Sequence, residues 1–474
     1  MNFKYVSTLM NKSNKIYKFL IIILILIITG LFFVSSFIGK NSLSTIKSFI
    51  PADQRQLIKK YIFPYKFISQ QDKILKEKQE TIDQQDLMIR GILSKIELDF
   101  KLAGDDISIT KSNITLSNNK VLKKYKFNSA FYAGINNITP GSGYIDFFED
   151  NIFILSSRGI LAYAENLSQD NVKFKQIKNN IDDFINLKQF SKDKWFSIKD
   201  IHILNNQVFI SYTSEQKENC WNTSIIYGNL NYEKIKFNKF FTPKQCVHSS
   251  DNIDKEFNAH QSGGRMVSFD DNNIFLTIGD YRSRYLAQDP DSVNGKIVKI
   301  GIDNNYHEII SMGHRNPQGL YFDKEENFLI ETEHGPMGGD EINLIDINQV
   351  NKTEILNYGW PIASYGEHYG GKVKKNKNKY EKYPLNKSHI KYGFIEPLKS
   401  FQPSIGISEV AKIDKNAYVA SSLKDKSLYF FELDKDKKII NLDRVEVSER
   451  VRDLRFHDNK LYIFLEDTAS IGTI

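Results

Sequence analysis

The sequence predicts an all-β protein, a six-bladed β-propeller of four-stranded antiparallel blades. One pattern recurs six times: a polar turn, a short strand rich in aliphatic and aromatic residues, and further polar residues. The copies follow one another at intervals of roughly 50 residues, which is typical of propeller blades and which a β-sandwich would not explain. The six turns are Asp150-Asn151, Asn205-Asn206, Asn272-Asn273, Glu326-Asn327, Lys415-Asn416 and Asp458-Asn459.

The composition indicates a globular protein. The chain has 474 residues, of which 13% are aromatic and 26% are charged. A chain with this composition can bury a large core. Prominent Tyr, Phe, Ile and Asn suit short strands joined by Asn-rich turns. The formal net charge of +7 is modest for this length, so we expect a solvated surface and no nucleic-acid partner.

The N-terminal region contains an apolar run, Phe19 to Ile38, long enough to cross a bilayer as a helix. Several lysines precede this run. They predict a cytoplasmic N-terminus at residues 1–18, a transmembrane anchor at residues 19–38, and the rest of the chain in the periplasm or outside the cell. A cleaved signal peptide is the alternative, but the run is longer than a usual signal core and no clear cleavage site follows it.

Residues 39–124 are predicted to form a juxtamembrane segment and a stalk helix, followed by the propeller at residues 125–474. The helix is placed at residues 66–98, because an aliphatic residue recurs at every seventh position. These positions are Ile68, Leu75, Ile82, Ile89 and Ile96. The intervening coiled-coil positions are mostly polar, so the coiled-coil pattern is incomplete. A self-associating stalk and a helix packed on the globular domain are equally open.

The two cysteines, Cys220 and Cys246, bracket a predicted hairpin at residues 224–241. A disulfide would be plausible in an oxidising compartment. Two buried free thiols are the alternative. Neither cysteine has a catalytic pattern around it.

The stretch from Gly313 to Leu344 carries two polar loops around a predicted strand at Phe328–Thr332. Such loops are how a rigid β scaffold presents a site, although two ordinary turns are the simpler interpretation. In a propeller, the polar residues that close each unit should meet on one face around the central channel. The residues expected to converge are Arg158, Asp280, Glu333 to Gly335, Lys424 and Asp467.

Candidate chemistry follows from four cations and one histidine. His260 precedes a Gly-Gly turn and suits a general base near neutral pH, although a lone histidine is more often structural. A cluster of cations near a channel favours carboxylates or phosphates as ligand. For the two arginines that flank Val451, a surface ion-pair strand is the alternative. The four cations are Arg315, Lys424, Arg450 and Arg452.

Hard oxygen ligands suitable for Ca²⁺ lie nearby in the sequence. They are the carbonyl groups of Gly335 and Pro336, with the carboxylates of Asp340 and Glu341 close behind. The sequence has no Cys/His spacing typical of zinc, no phosphate-binding loop and no dinucleotide fingerprint.

Several motifs, in this order, resemble the soluble quinoprotein glucose/sorbosone dehydrogenases, which use pyrroloquinoline quinone (PQQ). They are AHQSGGRM, LTIGD, GHRNPQGL, TEHGPMGGDEINLI and NYGWP. The stretch PIASYGEHYGG resembles the aldose sugar dehydrogenase branch most closely. The resemblance covers about residues 130–474 and is strongest from His260 onward. It implies a six-bladed propeller that uses PQQ and Ca²⁺ to oxidise an aldose.

The resemblance also implies a role for each matching residue. His260 would accept the proton of the sugar hydroxyl as hydride passes to the quinone, and Arg315 would stabilise the charge that develops there. The residues that would bind PQQ are Arg315, Asn316, Lys424, Arg450 and Arg452. The metal ligands would be the Gly335 and Pro336 carbonyls at the quinone, and Glu341 with the Tyr358 carbonyl for a structural Ca²⁺.

The predicted function is therefore PQQ- and Ca²⁺-dependent aldose oxidation on the outer face of a membrane, with a quinone or cytochrome as electron acceptor. A non-catalytic propeller that binds a protein or glycan outside the cell is the alternative. A lactonase-type hydrolase would need side-chain carboxylates around its Ca²⁺, and the cation cluster argues against it. Residues 156–158 and 194–198 depart from the family pattern, so the identity of the sugar stays open.

Overall fold

The computed structural model describes residues 64–474 except 133–140, 166, 168–170, 187–188, 190–196, 305 and 351–353. The predicted cytoplasmic segment, anchor and juxtamembrane segment up to residue 63 lie outside the described residues, as does most of 194–198. The chain divides into two compact units, Met1–Gln85 and Asp86–Ile474. The described part of the first unit is helical, and the second unit carries all the described strands.

The long predicted helix is present as α1 (Pro64–Ala103), which extends beyond the predicted bounds at both ends. In the part of the chain that the structure describes, no helix is both long and apolar enough to cross a bilayer. Leu75, Ile82 and Ile89 are more than half exposed, so self-association through this face stays a prediction. The shorter helices are α2 (Lys377–Lys382) and 3₁₀ turns at Ile181–Asp183, Arg284–Gln288, Ile347–Gln349, Lys374–Asn376 and Ile390–Tyr392.

The end of α1 that belongs to the second unit packs on the β-sheets. Lys101 Nζ lies 2.6 Å from Asp182 Oδ2. Arg158 Nε donates a hydrogen bond to Ser94 Oγ at 3.0 Å. The interpretation of a helix packed on the globular domain therefore holds for these last turns.

The described residues contain 29 strands. The first ten are β1 (Ile107–Thr115), β2 (Val121–Phe127), β3 (Gly143–Phe148), β4 (Asn151–Ser156), β5 (Leu161–Ala164), β6 (Lys173–Gln176), β7 (Lys178–Asn179), β8 (Ile198–Leu204), β9 (Gln207–Lys217) and β10 (Cys220–Asn229). The next ten are β11 (Lys234–Ile235), β12 (Asn238–Phe241), β13 (Val247–His248), β14 (Gly263–Asp270), β15 (Asn273–Ile278), β16 (Lys296–Gly301), β17 (His307–Met312), β18 (Pro317–Asp323), β19 (Phe328–Glu333) and β20 (Asp340–Asp346). The last nine are β21 (Leu356–Asn357), β22 (Lys399–Phe401), β23 (Ile407–Lys412), β24 (Ala417–Ser422), β25 (Ser427–Leu433), β26 (Ile439–Glu446), β27 (Val451–His457), β28 (Lys460–Leu465) and β29 (Ser470–Thr473).

Most strands pair antiparallel with their sequence neighbours. Four sheets contain the sets β8–β9–β10–β12, β14–β15–β16–β17, β18–β19–β20–β22 and β23–β24–β25–β26. The sets β3–β6 and β27–β28–β29–β2 belong to one nine-stranded sheet, in which β1 pairs with both β2 and β6. An N-terminal strand therefore completes the sheet begun by the C-terminal strands, with Lys123 opposite Thr473.

The first strand of each set contacts the first strand of the next. The contacts run from β3 to β8, β14, β18, β23 and β27, and from β27 back to β3. This closed ring is the arrangement of a β-propeller. The predicted all-β class is confirmed. The hydrophobic core lies between successive sets, as where Ile330 and Ile342 cluster with Val410 and Ala420 of the neighbouring sheet.

Charged side chains from these inner strands form a buried network. Arg265 Nη1 lies 2.8 Å from Asp200 Oδ1 and 2.9 Å from Asp453 Oδ1, and its Nε contacts Glu409. Arg455 contacts the same three carboxylates. Burial raises the pKa of Glu409 to about 7, although both arginines oppose the shift. Two guanidinium groups thus hold together inner strands from four different sheets.

These three carboxylates and that of Asp146 also accept backbone hydrogen bonds from neighbouring inner strands, so each acid joins two inner strands. Removing one would leave a buried N–H without its partner. The backbone bonds are Ile145 N to Asp453 Oδ2, Ile203 N to Asp146 Oδ2, Met266 N to Asp200 Oδ2 and Leu320 N to Glu409 Oε1.

Cys220 and Cys246 form a disulfide with a Cα–Cα distance of 5.3 Å. Cys220 begins β10, which pairs at this end with β13 through Trp221 and Val247. Of the two alternatives left open by the sequence, the structure therefore has the disulfide.

Candidate functional site

Three loops meet at one end of the inner strands, before β14, after β15 and before β18. The Asp280 N–H donates to the Arg315 carbonyl at 2.9 Å. The Gly263 N–H donates to Asn316 Oδ1 at 3.3 Å, and the His334 N–H donates to the Asn316 carbonyl at 3.1 Å. The structure therefore brings the predicted residues Asp280, Arg315, Asn316 and His334 together.

Arg315 is buried and held from several directions. Its Nη1 donates to the carbonyls of His334 and Gly335 at 2.7 and 2.6 Å. Its backbone N–H donates to Glu333 Oε2 at 2.7 Å. The guanidinium group lies over the Trp360 ring, 5.5 Å from the ring centre. These contacts fix both the loop and the side chain before any ligand binds.

Gln261 connects the neighbouring loops. With its amide oriented to suit its partners, the oxygen accepts from Arg282 Nε at 3.1 Å and from Arg315 Nη2 at 2.8 Å. The amide nitrogen then donates to Asp280 Oδ1 at 3.0 Å. His260 is the preceding residue, half-buried on the same turn, with its N–H donating to Asn258 Oδ1 at 2.8 Å. The predicted base is thus one residue from a side chain that contacts Arg315.

Arg282 adds a cation that the sequence analysis missed. Its guanidinium group lies 5.4 Å from the centre of the Tyr369 ring. Burial and the nearby charge of Arg315 lower the pKa of Arg282. Tyr281 and Arg282 both have left-handed backbone angles, φ 51° and 68°, which cost free energy and often occur at functional sites. The sequence signal was the YRSR that directly follows LTIGD.

Asp280 lies beneath these cations and is fully buried. Trp360 Nε1 donates to its Oδ2 at 2.8 Å. Burial raises the pKa of Asp280, while the charge of Arg315 opposes that shift. The aromatic partners Trp360 and Tyr369, both missed from sequence as site residues, come from the segment after β21.

The second cation group consists of Arg450 and Arg452, which share one carboxylate. Arg450 Nε lies 2.8 Å from Glu466 Oε2, and Arg452 Nη2 lies 2.9 Å from Glu466 Oε1. Glu466 and Arg452 are buried, so the alternative of a surface ion-pair strand does not describe them. Two cations against one carboxylate leave an excess positive charge. Glu466 was missed because it lies in the following strand-to-strand turn.

Lys424 follows β24 and is exposed, and its Nζ makes no hydrogen bond or ion pair with the described residues. The neighbouring Leu423 carbonyl accepts a long hydrogen bond, 3.5 Å, from Arg450 Nη1. Burial lowers the pKa of His334, and the charges of Arg315 and Arg452 lower it further. The two cation groups therefore act on a common residue.

Two members of the predicted convergent set have other partners. Arg158 Nε donates to Ser94 Oγ of α1. Asp467 accepts from Lys426 Nζ at 2.8 Å and from the Arg450 N–H at 3.1 Å. Asp467 thus positions the Arg450 backbone, and Arg158 anchors the helix.

The predicted calcium ligands differ in how well they could accept a cation. The Gly335 carbonyl already accepts from Arg315, and the Pro336 carbonyl accepts only a long hydrogen bond, 3.4 Å, from Ser404 Oγ. Gly335, Pro336, Glu341 and Tyr358 line one small cavity together with Arg315. The assignment of the two carbonyls as Ca²⁺ ligands stays a prediction.

Glu341 and Tyr358 line the same small cavity. Glu341 is buried, and its Oε1 makes no hydrogen bond to a described residue. Burial and the charges of Glu333 and Asp340 hold the pKa of Glu341 well above its ordinary value. His389 Nε2 lies 3.7 Å from Glu341 Oε1. A buried carboxylate oxygen without a hydrogen-bond donor is a suitable ligand for Ca²⁺.

Comparisons with known proteins identify the family of this chain. The Glucose / Sorbosone dehydrogenase family matches residues 200–472. This chain belongs to that family. An aldose sugar dehydrogenase of Escherichia coli is 29% identical over 290 residues, covering 56% of this chain and 71% of the relative. Quinoprotein glucose dehydrogenase B of Acinetobacter calcoaceticus is 32% identical over 142 residues, covering 23% and 28%.

Solved structures give the same fold. The soluble aldose sugar dehydrogenase of Escherichia coli, in its apo form, has a TM-score of 0.54 at 21% identity, covering 71% of this chain and 95% of that one. The PQQ-bound aldose sugar dehydrogenase of Streptomyces coelicolor has a TM-score of 0.52 at 17% identity, covering 72% and 95%.

Membership of the glucose/sorbosone dehydrogenase family confirms the predicted class, a sugar-oxidising oxidoreductase, and PQQ as its cofactor; Ca²⁺ is typical of the family. The predicted membrane-anchored location is wrong by these findings. The described residues include no helix that could cross a bilayer, and the Escherichia coli relative of known structure is described as soluble. The apolar run at residues 19–38 lies outside the described residues.

The charge of Glu466 should make stability depend on pH. Its pKa falls from 4.5 to about 2, because Arg452, Arg450 and Ser142 together outweigh the opposing effect of burial. A depressed folded-state pKa contributes stability above the ordinary value and loses it as the pH falls toward the folded value. The stability advantage of the wild type over Glu466→Gln should therefore shrink by about 3 kcal/mol between about pH 5 and pH 2.

Urea unfolding of both proteins across this pH range would measure the effect. Glu381→Gln removes an exposed carboxylate and serves as the control. A constant difference between wild type and Glu466→Gln would contradict the assignment.

Proposed function

We propose that this protein is a PQQ- and Ca²⁺-dependent aldose dehydrogenase with a six-bladed propeller. The blade count is supported by the closed ring β3–β8–β14–β18–β23–β27. The function is carried by one observation, the contact of Arg282 and Arg315 with Gln261, the residue that follows His260, together with the pairing of Arg450 and Arg452 on Glu466. Electrons would leave through a quinone or cytochrome acceptor.

The residues present suit a flat, polyanionic cofactor. Each cation group carries more positive charge than its buried acid cancels, and a cofactor with several carboxylates would neutralise the remainder. Trp360 and Tyr369 provide ring faces beside Arg315. The Asn316 side-chain oxygen accepts hydrogen bonds from the Gly263 N–H and from Gln318 Nε2. Its amide nitrogen makes no hydrogen bond to a described residue and could donate to the cofactor. Bound PQQ supplies the hydride acceptor, and bound Ca²⁺ supplies a Lewis acid.

The chain's own residues would then act as follows. His260 accepts the proton of the sugar hydroxyl, as a half-exposed imidazole can at neutral pH. Arg315 is held in place by Gln261 and the His334 carbonyl, so no reorganisation is needed to stabilise negative charge beside it. Lys424 is exposed at the rim of the site, where its ammonium group can contact a carboxylate of the bound cofactor.

Among the predicted metal ligands, Glu341 and the Tyr358 carbonyl are the ones that we propose for a Ca²⁺. The unpartnered Oε1 of Glu341 supports this choice. The Gly335 and Pro336 carbonyls line the same cavity and would be further oxygen ligands, with Arg315 as the present hydrogen-bond donor to Gly335.

Reconstitution tests the proposed function. The purified chain should bind PQQ in the presence of Ca²⁺ and then reduce an artificial dye acceptor when an aldose is added. A panel of aldoses would identify the sugar class. Folded protein that neither binds PQQ nor turns over any aldose would refute the proposal.

Lys424→Ala should weaken PQQ binding by about tenfold, the effect of losing roughly 1.4 kcal/mol from one rim-exposed charged contact. Fluorescence or absorbance titration with PQQ would measure the dissociation constant. Lys415→Ala is a matched control, because Lys415 is an equally exposed lysine at the opposite end of β24. Equal affinities for the two variants would remove Lys424 from the site.

A further inference from the structure

A second buried group of polar residues lies behind the Arg315 loop and has no role in the proposed chemistry. His314 precedes β18, while Glu331 and Glu333 lie on one face of β19 and Asn343 lies on β20 opposite Glu331. All four side chains are buried, with exposed fractions of 0% to 3%. Such groups are normally fully hydrogen-bonded in a protein interior.

The three charged or titratable members point at one another. His314 Nδ1 lies 3.9 Å from Glu331 Oε2 and 3.9 Å from Glu333 Oε1. One ligand atom from each residue can be chosen so that all lie within 4.8 Å of one another. The other ring nitrogen of His314, Nε2, forms a hydrogen bond with Ser311 Oγ at 2.8 Å, and the ring stacks on Tyr358. The orientation of Nδ1 is therefore fixed.

Several atoms of this group lack a partner among the described residues. His314 Nδ1, Glu331 Oε1 and Asn343 Oδ1 are all buried, and none of them makes a hydrogen bond to a described residue. Asn343 Nδ2 donates to Glu331 Oε2 at 3.0 Å and, at a longer distance of 3.4 Å, to Glu333 Oε1. Burial and the negative charges of Glu333 and Glu341 raise the pKa of Glu331 well above its ordinary value. A cation bound here would neutralise the two carboxylates and give the open imidazole nitrogen a partner.

We propose that His314, Glu331 and Glu333 bind one divalent first-row transition-metal ion, of the Zn²⁺ or Mn²⁺ type. Carboxylates alone would also suit Ca²⁺, but an imidazole nitrogen favours a transition metal. Small side-chain movements would bring atoms that are 3.9 Å apart to a common ion at bond lengths of about 2.0–2.2 Å. Asn343 Nδ2 now faces Glu331 Oε2 and Glu333 Oε1, so rotation of this amide by half a turn would present Oδ1 as a fourth ligand.

This ion would position the catalytic loop. Glu333 Oε1 faces the site, while its Oε2 accepts the Arg315 N–H at 2.7 Å. The metal would thus hold one oxygen of Glu333, and the other oxygen would hold the loop backbone. The site adjoins the Glu341 and Tyr358 carbonyl pair, because Glu333 lies opposite Glu341 and the His314 ring stacks on Tyr358, but it shares no ligand with that pair.

Cobalt binding to the full chain without PQQ tests the proposal independently of the dehydrogenase activity. Chelator-stripped wild type should bind one Co²⁺ per chain with visible d–d absorption bands, and Zn²⁺ should displace it. X-ray absorption of the bound ion should show one nitrogen ligand with oxygens. Stripped, folded wild type that binds neither Co²⁺, Zn²⁺ nor Mn²⁺ would overturn the proposal, whatever the variants do.

Matched variants then locate the site. His314→Gln should weaken Co²⁺ binding by more than about 100-fold, because losing even an outer-shell partner costs about 10–100-fold. His389→Gln removes another buried histidine, next to Glu341, and should keep the wild-type spectrum. Glu331→Gln, nearly identical in shape, should also lose the ion. Retention of the bands in His314→Gln together with their loss in His389→Gln would place the ion elsewhere and refute the assignment.

Discussion

Replacing His260 with asparagine should lower kcat for aldose oxidation by about 10²–10⁴-fold, the usual contribution of a general base. Asparagine has a similar size and can still donate a hydrogen bond, but it cannot accept the proton of a sugar hydroxyl at neutral pH. The residue after His260, Gln261, is the one that contacts Arg315. Replacing His260 should therefore lower turnover without disturbing the cation groups. The affinity for PQQ should therefore stay near that of wild type.

Steady-state kinetics with a dye acceptor, combined with a PQQ titration, would separate the two effects. His457→Asn is the control, since His457 ends β27 at the opposite end of the strand from Arg452 and stacks on Phe147 of β3. If His260→Asn kept wild-type turnover, the base would have to be another residue. If it lost PQQ instead, His260 would be a binding residue and not the proton acceptor.

Replacing Arg265 with methionine should destabilise the fold by about 3–5 kcal/mol, because it leaves buried carboxylates without their partner. Arg265 contacts Asp200, Glu409 and Asp453, each from a different inner strand. Arg455 alone cannot neutralise these three acids. The destabilisation should be smaller near pH 5.5 than near pH 8, because the raised pKa of Glu409 lets it take up a proton in the folded state.

Urea unfolding at both pH values would measure the effect. Arg444→Met is the matched control, since it breaks an ion pair with Asp425 in which the arginine is 45% exposed. An exposed pair contributes about 0–1 kcal/mol. Equal losses for the two variants would show that the buried network contributes no more than a surface ion pair.

The sequence predicted the repeating β-structure well because that signal is local. The predicted strand Phe328–Thr332 differs from β19 by one residue, and the six recurring turns lie beside β4, β9, β15, β19, β24 and β28. The Arg315 loop was also predictable, since its polar residues are contiguous between two glycines.

Pairings across long stretches of sequence could not be predicted in the same way. Arg450 and Arg452 have the expected charge, but their acid, Glu466, is identified only by the register of the hairpin between them. Arg158 has the expected position at a strand end, yet a residue of α1 accepts its hydrogen bond. The hydrogen bond from Arg315 to the Gly335 carbonyl could not be predicted either, because a contact to a backbone oxygen leaves no trace in residue type.

The pairing of β2 with β29 has a consequence for how the ring forms. These strands are separated by most of the described chain, so their pairing closes a longer loop than any other contact in the ring. Contacts of this kind form slowly, because the chain entropy must be lost before the contact is made. During synthesis, β2 would be made early, and the edge that pairs with β29 would stay unpaired until that last strand is made. Its lysine-rich sequence, VLKKYKF, is what keeps such an edge from pairing with another chain in the meantime.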